Sequence, residues 1–239
     1  MLIDQHDTID TLVRLGRKIG VCASSDRLPV CVDPPRVSSH QAVEWWRQLP
    51  ELASSRVRLR ELLLTDGPSL TEALGSARVG KHLSCIPASM AETEEFIGWT
   101  RRARMAGRYI CFGVVPEGRD AAVGVFQLWP LEPTFHTAEW GFAIGHQFWG
   151  SGLFMAGAQL VMRFVFETLG VHRLEARAAV DNDRGNGVLK KLGAVPEGVL
   201  RQCFLTDGAY RDHVMWSILA SDWRAAHKDV AGPATGAVA

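Results

Sequence analysis

The feature that most constrains the fold is a long apolar segment in the second half of the chain. Helical spacing runs from Gly150 to Leu169, and apolar side chains cover most of the circumference of this predicted helix. Such a helix has to be buried, and strand patterns at 136–144 and 174–180 predict a sheet that covers it. Gln159 and Arg163 interrupt the apolar run, which is too short to span a bilayer of about 30 Å. No membrane partner is expected.

Strands and helices alternate along most of the chain, which predicts the α/β (α+β) class. Short connections between the strands favour antiparallel neighbours. The predicted strands are 57–61, 109–115, 122–129, 136–144, 174–180, 199–205 and 213–219. The predicted helices are 69–76, 89–106, 150–169 and 182–192, and the second of them opens with a capping-box arrangement of Ser89 and Glu92.

The chain divides into three regions that differ in sequence pattern. Residues 1–52 are predicted to be a helical N-terminal extension of unknown role, followed by a domain over 53–226 and a flexible tail over 227–239. Within the extension, a second short helix is predicted to carry Trp45 and Trp46. This tryptophan pair either forms a homodimer contact or packs within its own chain.

Composition excludes several classes of function. The 26 basic and 26 acidic residues cancel, so no overall charge attracts nucleic acid or an anionic membrane. The 5 cysteines are scattered without a CxxC pair, and no histidine cluster has metal-ligand spacing. We therefore expect reduced thiols, no metal and a cytoplasmic location, the last supported by an acidic start that lacks the features of a signal peptide.

A glycine-bearing turn, Gln147 to Gly152, separates the 136–144 strand from the long helix. The start of a helix leaves backbone N–H groups unpaired and carries the positive end of the helix dipole, so this turn is a candidate phosphate site. Side chains at Gly150 and Gly152 would block access to these amides. Such a turn can equally be only a connection, and its spacing matches neither a Walker loop nor a dinucleotide fingerprint.

Several motifs around this turn together resemble the GNAT superfamily of acetyltransferases, and within it the ribosomal-protein alanine N-acetyltransferases (RimJ/RimL-like). The resemblance covers about residues 54–224. The motifs that carry it are Ala138-Glu139-Trp140-Gly141-Phe142-Ala143-Ile144, Gln147-x-x-Gly150-x-Gly152, Leu174-Glu175-Ala176-Arg177, Asp181-Asn182, Val188-Leu189-Lys190-Lys191-Leu192-Gly193-Ala194, Glu197-Gly198-Val199-Leu200-Arg201 and Asp212-His213-Val214-x-Trp216-Ser217.

The resemblance implies a GNAT fold and a bound acetyl-CoA. The implied sheet is mixed and mostly antiparallel, with about seven strands flanked by helices and a splay between the fourth and fifth strands. The pantetheine arm would lie in this splay, and the glycine turn would hold the pyrophosphate. The implied contacts are Phe142, Ala143, Ile144, Gln147, Phe148, Trp149, Gly150, Ser151, Gly152, Leu153, Phe154, Asn182 and Lys190. For Asn182, the alternative role is a helix N-cap.

Glu139 is the candidate catalytic residue. An α-amine has a pKa of about 7.7 to 8.0 and must lose a proton before it attacks a thioester, so a general base is needed. Glu139 matches the family glutamate at the mouth of the splay, and its alternative role is a surface carboxylate. A backbone N–H near Phe142 or Ala143 could stabilise the oxyanion. The implied acceptor is a protein or peptide N-terminal α-amine, or else a small-molecule amine.

The sequence departs from the family pattern at two glycines. Gly185 replaces the usual serine near the coenzyme thiol, and Gly187 replaces a polar or basic residue. Lys190 stands where many members have a tyrosine, and Tyr109 and Tyr210 give no assignable general acid. These departures favour an alternative function, a non-catalytic acetyl-CoA-binding sensor or assembly module. A third alternative is a protein that binds another nucleotide at the glycine turn.

Overall fold

The computed structural model describes residues 44–81, 87, 89–206 and 208–227. The helical stripe predicted between residues 1 and 43 and most of the predicted flexible tail lie outside the described residues. Within the part described, no helix is long and apolar enough to cross a membrane.

A single mixed sheet organises the fold. Its eight strands lie in the order β1-β2-β3-β4-β5-β6-β8-β7, and all neighbours are antiparallel except β5 and β6. The predicted mixed, mostly antiparallel sheet is therefore confirmed, with β1 as a short additional edge strand. The strands are β1 Leu52–Ala53, β2 Val57–Glu61, β3 Ile110–Pro116, β4 Gly124–Pro130, β5 Thr137–Ile144, β6 Arg173–Ala179, β7 Val195–Thr206 and β8 Ala209–Leu219.

Helices cover both faces of the sheet. They are α1 Gly67–Leu74, α2 Ala77–Gly80, α3 Met90–Met105, α4 Leu153–Arg163, α5 Asp183–Lys191 and α6 Ala220–Ala226, with 3-10 turns at Leu64–Asp66 and His146–Phe148. Ser89 caps α3 as predicted, since its hydroxyl accepts the Glu92 amide. The predicted 150–169 helix is shorter than expected, because α4 begins after Gly152 and passes into a π-helical segment, Phe164–Thr168.

The core has two layers, one on each face of the sheet. On one face α4 and the π-helical segment pack against aromatic and aliphatic side chains of β2, β3 and β4, including the edge-to-face pair of Phe112 and Phe164. On the other face α1 and α3 pack through Leu70 and Phe96 against Val125 and Trp129. The sheet is therefore covered on both sides.

The segment just before β1 belongs to this core. Trp45 is only 2% exposed and its ring lies 5.6 Å from that of Phe135. Arg104 donates hydrogen bonds to the carbonyl oxygens of Trp45 and Trp46. The predicted short helix at this pair is instead a turn. Trp45 packs within its own chain, and the predicted homodimer stays a prediction.

The pairing of β5 with β6 stops early. The two strands pair only from Thr137 to Glu139 against Arg173 to Glu175. Beyond that point β5 remains paired with β4 as far as Ile144, while β6 remains paired with β8 as far as Ala179. The sheet therefore opens between β5 and β6, at the position of the predicted splay.

Candidate active site

A cleft of about 750 Å³ runs through the opening between β5 and β6. One half is bounded by the glycine turn, α4 and the start of α5, and we call it the donor half. The other half is bounded by β4, β6 and the β7–β8 hairpin, and we call it the acceptor half. Glu139, at the last paired position of β5, lies where the two halves meet.

The glycine turn takes a conformation that favours glycine. Gly150 and Gly152 have φ angles of +77° and +83°. Nothing stands within 4 Å of a Cβ added at Gly150, so the backbone there is open to the cleft. The Ser151 hydroxyl accepts the Leu153 amide and donates to the Phe148 carbonyl oxygen, which fixes the turn at the start of α4. The amides and the helix dipole together fit a phosphate group.

The alternation of β5 determines what reaches the opening. The Gly145 amide donates to Val123 next to β4, whereas the His136 carbonyl oxygen accepts from His172 and Arg173 at the start of β6. Because successive residues of a strand direct their backbone groups to opposite sides, the amides of Trp140 and Phe142 point toward the opening. The amide of Ala143 points toward β4.

The side chains of β5 also separate by face. Trp140 and Phe142 pack with Phe126 and Phe154 on the α4 side in mostly tilted and edge-to-face contacts, with ring centroids 4.7 to 6.4 Å apart. On the opposite face, the small residue Gly141 leaves room beside the Trp129 ring, which would stand 3.5 Å from an added Cβ. The space on this face leads to Glu139.

Buried Glu139 and half-buried Arg177 form an ion pair with incomplete hydrogen bonding. Glu139 is 3% exposed, and its Oε1 lies 3.5 Å from Arg177 Nε. Among the described residues, neither Glu139 Oε2 nor Arg177 Nε has a hydrogen-bond partner. Burial raises the pKa of Glu139 to about 7, and the carboxylate of Glu175 adds to this shift, whereas the guanidinium of Arg177 and the nearby indole N–H of Trp129 oppose it. Glu139 can therefore accept a proton near neutral pH.

The sequence of the described region matches the family model of the acetyltransferase (GNAT) domain over residues 56–195. The chain belongs to the GNAT acetyltransferase family. Curated relatives are N-acetyltransferases, and GNAT enzymes use acetyl-CoA. This chain is accordingly an N-acetyltransferase related to those that act on ribosomal proteins.

Three relatives illustrate the degree of similarity. The [ribosomal protein uS5]-alanine N-acetyltransferase of Escherichia coli (strain K12) is 28% identical over 133 residues, or 53% of this chain and 69% of the relative. The putative ribosomal N-acetyltransferase YdaF of Bacillus subtilis (strain 168) is 30% identical over 177 residues, which cover 71% of this chain and 94% of the relative. The structure of Mycobacterium smegmatis RimJ in complex with CoA-disulfide has a TM-score of 0.65 at 22% identity, covering 76% of this chain and 92% of that one. At this identity the last comparison supports the fold alone.

The structure brings most of the predicted GNAT site residues to the cleft. The predicted residues that line it are Glu139, Phe142, Ala143, Ile144, Phe148, Trp149, Gly150, Gly152, Phe154 and Asn182. The predicted residues that do not line it are Gln147, Ser151, Leu153 and Lys190. Leu153 is buried in the core and Lys190 is exposed, while the neighbouring Lys191 lines the cleft.

Asn182 caps α5 and also lines the donor half. Its Oδ1 accepts the Gly185 amide at 2.9 Å, so the alternative N-cap role is present. A Cβ at Gly185 would stand 2.6 Å from Asn182 Nδ2, so a side chain at this position would displace the Asn182 side chain from its present place. Asn186 donates to the carbonyl oxygens of Ala179 and Asn182 and accepts from Trp216, so its side chain serves the structure instead of a ligand.

Sequence reasoning missed most of the acceptor half. Gln127, Trp129 and Arg177 line it from β4 and β6, and Cys203 and His213 line it from the β7–β8 hairpin. Cys203 Sγ lies 3.6 Å from His213 Nδ1. His136 is exposed and outside the cleft, whereas burial lowers the pKa of His213 at its wall. From the sequence, the strand-end positions of His136 and His213 make each either a substrate contact or a structural residue, and pairing places His213 opposite Ala179 of β6.

Neither tyrosine reaches the reacting centre. Tyr109 is buried and donates to Gln127 Oε1 at 2.7 Å, and burial raises its pKa well above the usual range. Tyr210 is 64% exposed on β8. Within the described residues, no group of three or more histidine, cysteine or acidic side chains could hold a metal ion.

Proposed function

We propose that this GNAT enzyme transfers the acetyl group of acetyl-CoA to a primary amine, by direct attack within a ternary complex. The observation that carries the proposal is the position of Glu139, buried at the junction of the donor and acceptor halves. The preferred acceptor is the N-terminal α-amine of a protein or peptide, because the curated relatives named above include ribosomal-protein N-acetyltransferases. A small-molecule amine is the second choice.

The donor half fits acetyl-CoA in three respects. The open turn at Gly150 presents backbone amides to a pyrophosphate. The opening between β5 and β6 is lined on one side by Phe142 and on the other by Ala178, which suits a narrow, largely apolar pantetheine arm. The amides of Trp140 and Phe142 supply donors along that path.

Glu139 would remove the proton from the attacking ammonium group. Its raised pKa of about 7 lies close to that of an α-amine, so the transfer needs little free energy at neutral pH. The amide of Phe142, or of its neighbour Trp140, would then stabilise the oxyanion on the thioester carbonyl. The leaving thiolate needs no assigned acid, because a thiol has a pKa of about 8.5.

The test is release of free coenzyme A thiol from acetyl-CoA. Acceptors would be short peptides with varied N-terminal residues, with polyamines, amino acids and aminoglycosides as comparison classes. Thiol release with the peptides, with an acetyl group located on the α-amine by mass spectrometry, is expected. Release with none of the four classes, while calorimetry detects acetyl-CoA binding, would favour the non-catalytic sensor. Binding of ATP or NAD in place of acetyl-CoA would instead favour the other nucleotide-binding alternative.

A further inference from the structure

Arg177 is a half-buried cation in the acceptor half, and direct transfer to the amine assigns it no role. Its side chain is 17% exposed and lines the cleft from the middle of β6. Simple pairing with Glu139 does not explain it, because the 3.5 Å approach leaves Arg177 Nε without a hydrogen-bond partner among the described residues. Buried polar groups in folded proteins almost always have partners, so this donor is a candidate ligand contact.

The unpartnered atoms of the pair are complementary in character. Glu139 Oε2 is a hydrogen-bond acceptor on a residue that is only 3% exposed. Arg177 Nε is a donor on the adjoining strand. A ligand that satisfies both must offer an N–H donor and an oxygen acceptor a few ångströms apart. An α-amino-acyl group does so, because its amine and its carbonyl oxygen are attached to neighbouring carbons. An alkylamine or polyamine offers only donors.

Charge on the surrounding walls favours the same class. His213 lies on the same side of the cleft as Arg177, and the guanidinium is near enough to lower the pKa of this histidine, after the larger effect of burial. A second ammonium group on the acceptor would be repelled by Arg177. The aromatic rings of Trp129 and Phe204 also line this half and suit an uncharged side chain on the acceptor, although the indole N–H of Trp129 is a further buried donor without a partner among the described residues.

We propose that Arg177 is an acceptor-specificity residue, whose guanidinium binds the carbonyl oxygen of the acceptor's first residue while Glu139 receives the amine. This inference rests on the proposed function and narrows its substrate class to α-amino-acyl groups. Arginine suits the role because it remains charged and presents fixed N–H donors to an oxygen.

The test compares two acceptors of equal size. Alaninamide carries the carbonyl group, and 1,2-dimethylpropylamine replaces the carboxamide with an isopropyl group. Their kcat/KM values, each expressed per free amine, give a preference ratio. The ratio is measured for the wild type, for Arg177→Met and for Arg177→Lys. Because loss of Arg177 changes Glu139 equally for both acceptors, the ratio isolates recognition of the carbonyl group.

We expect the wild-type enzyme to prefer alaninamide. We expect Arg177→Met to lower this preference at least tenfold, because the substitution removes a hydrogen bond from a charged donor. Arg177→Lys should give an intermediate ratio, since it keeps the charge but not the Nε position. Arg184→Met is the matched control, because Arg184 lies over the Trp149 ring in the donor half, and its ratio should equal that of the wild type.

An equal loss of rate for both acceptors in Arg177→Met would overturn the proposal, because Arg177 would then act only through Glu139. The same ratio is also measured as equilibrium Kd values on the CoA-loaded protein. A wild-type binding preference that Arg177→Met abolishes would support the proposal even without turnover, whereas absence of turnover with every amine would count against the proposed function alone. If Arg177→Met fails to fold, Arg177→Lys decides the outcome by the same comparison.

Discussion

At the scale of single residues, the chemistry depends on how Glu139 is solvated. Taking a carboxylate out of water disfavours its charged form, and this effect is larger than the opposing attraction of Arg177 at 3.5 Å. An exposed glutamate would be fully ionised at neutral pH but too weak a base to deprotonate an amine efficiently. Burial brings the pKa to about 7 and makes Glu139 a stronger base.

This predicts a particular pH dependence of kcat/KM for a peptide acceptor. Glu139 must be deprotonated and the incoming α-amine protonated for this transfer, with pKa values of about 7 and roughly 8. The logarithm of kcat/KM, calculated on total acceptor, should therefore rise with a slope of about 1 below pH 7, change little between pH 7 and 8, and fall with a slope of about 1 at higher pH. Steady-state kinetics of the wild type and of Glu139→Gln checks this. The variant should retain only the amine ionisation, and an unchanged profile in the variant would assign the lower pKa to another group.

Sequence reasoning found the residues whose roles follow from local position. Glu139, Gly150 and Gly152 lie on one strand and in the turn that follows it, so their proximity can be inferred from their positions in the sequence. Arg177, Cys203 and His213 come together only through the pairing of β6, β8 and β7 and through an irregular register between Leu200 and Phe204. Gln202, at this irregularity, has a φ of +47° although it is not glycine. No local pattern predicts such a contact.

At the scale of elements, the start of α5 forms one wall of the donor half. Asn182 ends the connection from β6 and caps the helix through the Gly185 amide. A Cβ at Gly185 would crowd the Asn182 side chain, whereas a Cβ at Gly187 would meet nothing within 4 Å. The two glycines therefore differ in function, although both depart from the family pattern.

Alanine substitutions at these two positions should have different effects. Gly187→Ala should stabilise the protein by about 0.5 to 1 kcal/mol, because alanine favours the helix. Gly185→Ala should lose this gain, since displacing the Asn182 cap costs about 1 kcal/mol. Urea unfolding measures both, and calorimetry should show weaker acetyl-CoA binding for Gly185→Ala only. Equal stabilisation by both substitutions would show that the Asn182 cap contributes nothing.

Element types were predicted better than element ends. Periodicity gave the strands and helices, but α4 begins three residues later than helical spacing suggested, because Gly150 and Gly152 adopt left-handed φ angles. Its end continues as a π-helical turn through Phe164 to Thr168, which apolar spacing cannot distinguish from α-helix. Strand β7 begins at Val195, four residues earlier than predicted, since an edge strand with exposed residues shows weak alternation.

At the scale of the whole molecule, residues 44–51, just before β1, pack as part of the same core. Trp45 packs against Phe135 within the main core, and Arg104 donates hydrogen bonds to the carbonyl groups beside it and to Glu61 of β2. A boundary drawn at residue 52 by composition therefore separates side chains that pack together. A change in residue composition along a sequence does not mark the edge of a core, because the core is defined by contacts between side chains.

Alanine substitutions at the two neighbouring tryptophans should show how much each side chain contributes to the core. Trp45→Ala should lower the free energy of unfolding by about 3 to 5 kcal/mol, because a fully buried aromatic ring is lost. Trp46→Ala should cost roughly 1 to 2 kcal/mol, since its side chain is only half-buried. Equilibrium urea unfolding followed by circular dichroism compares them. Equal, small losses would contradict a core role for Trp45.

The family resemblance predicted the mixed sheet and the place of its opening, because both follow from motifs arranged along the chain. The pairing of Trp45 with Phe135 could not be predicted, since it joins segments 90 residues apart through tertiary packing.

The most direct test of the account is to compare wild-type enzyme with Glu139→Gln, measuring kcat for acetylation of a peptide α-amine and Kd for acetyl-CoA. Glutamine keeps the size of the side chain but cannot accept the proton. The account predicts a fall in kcat of about 10² to 10⁴ with the Kd unchanged. An unchanged kcat would contradict it and remove Glu139 from the mechanism.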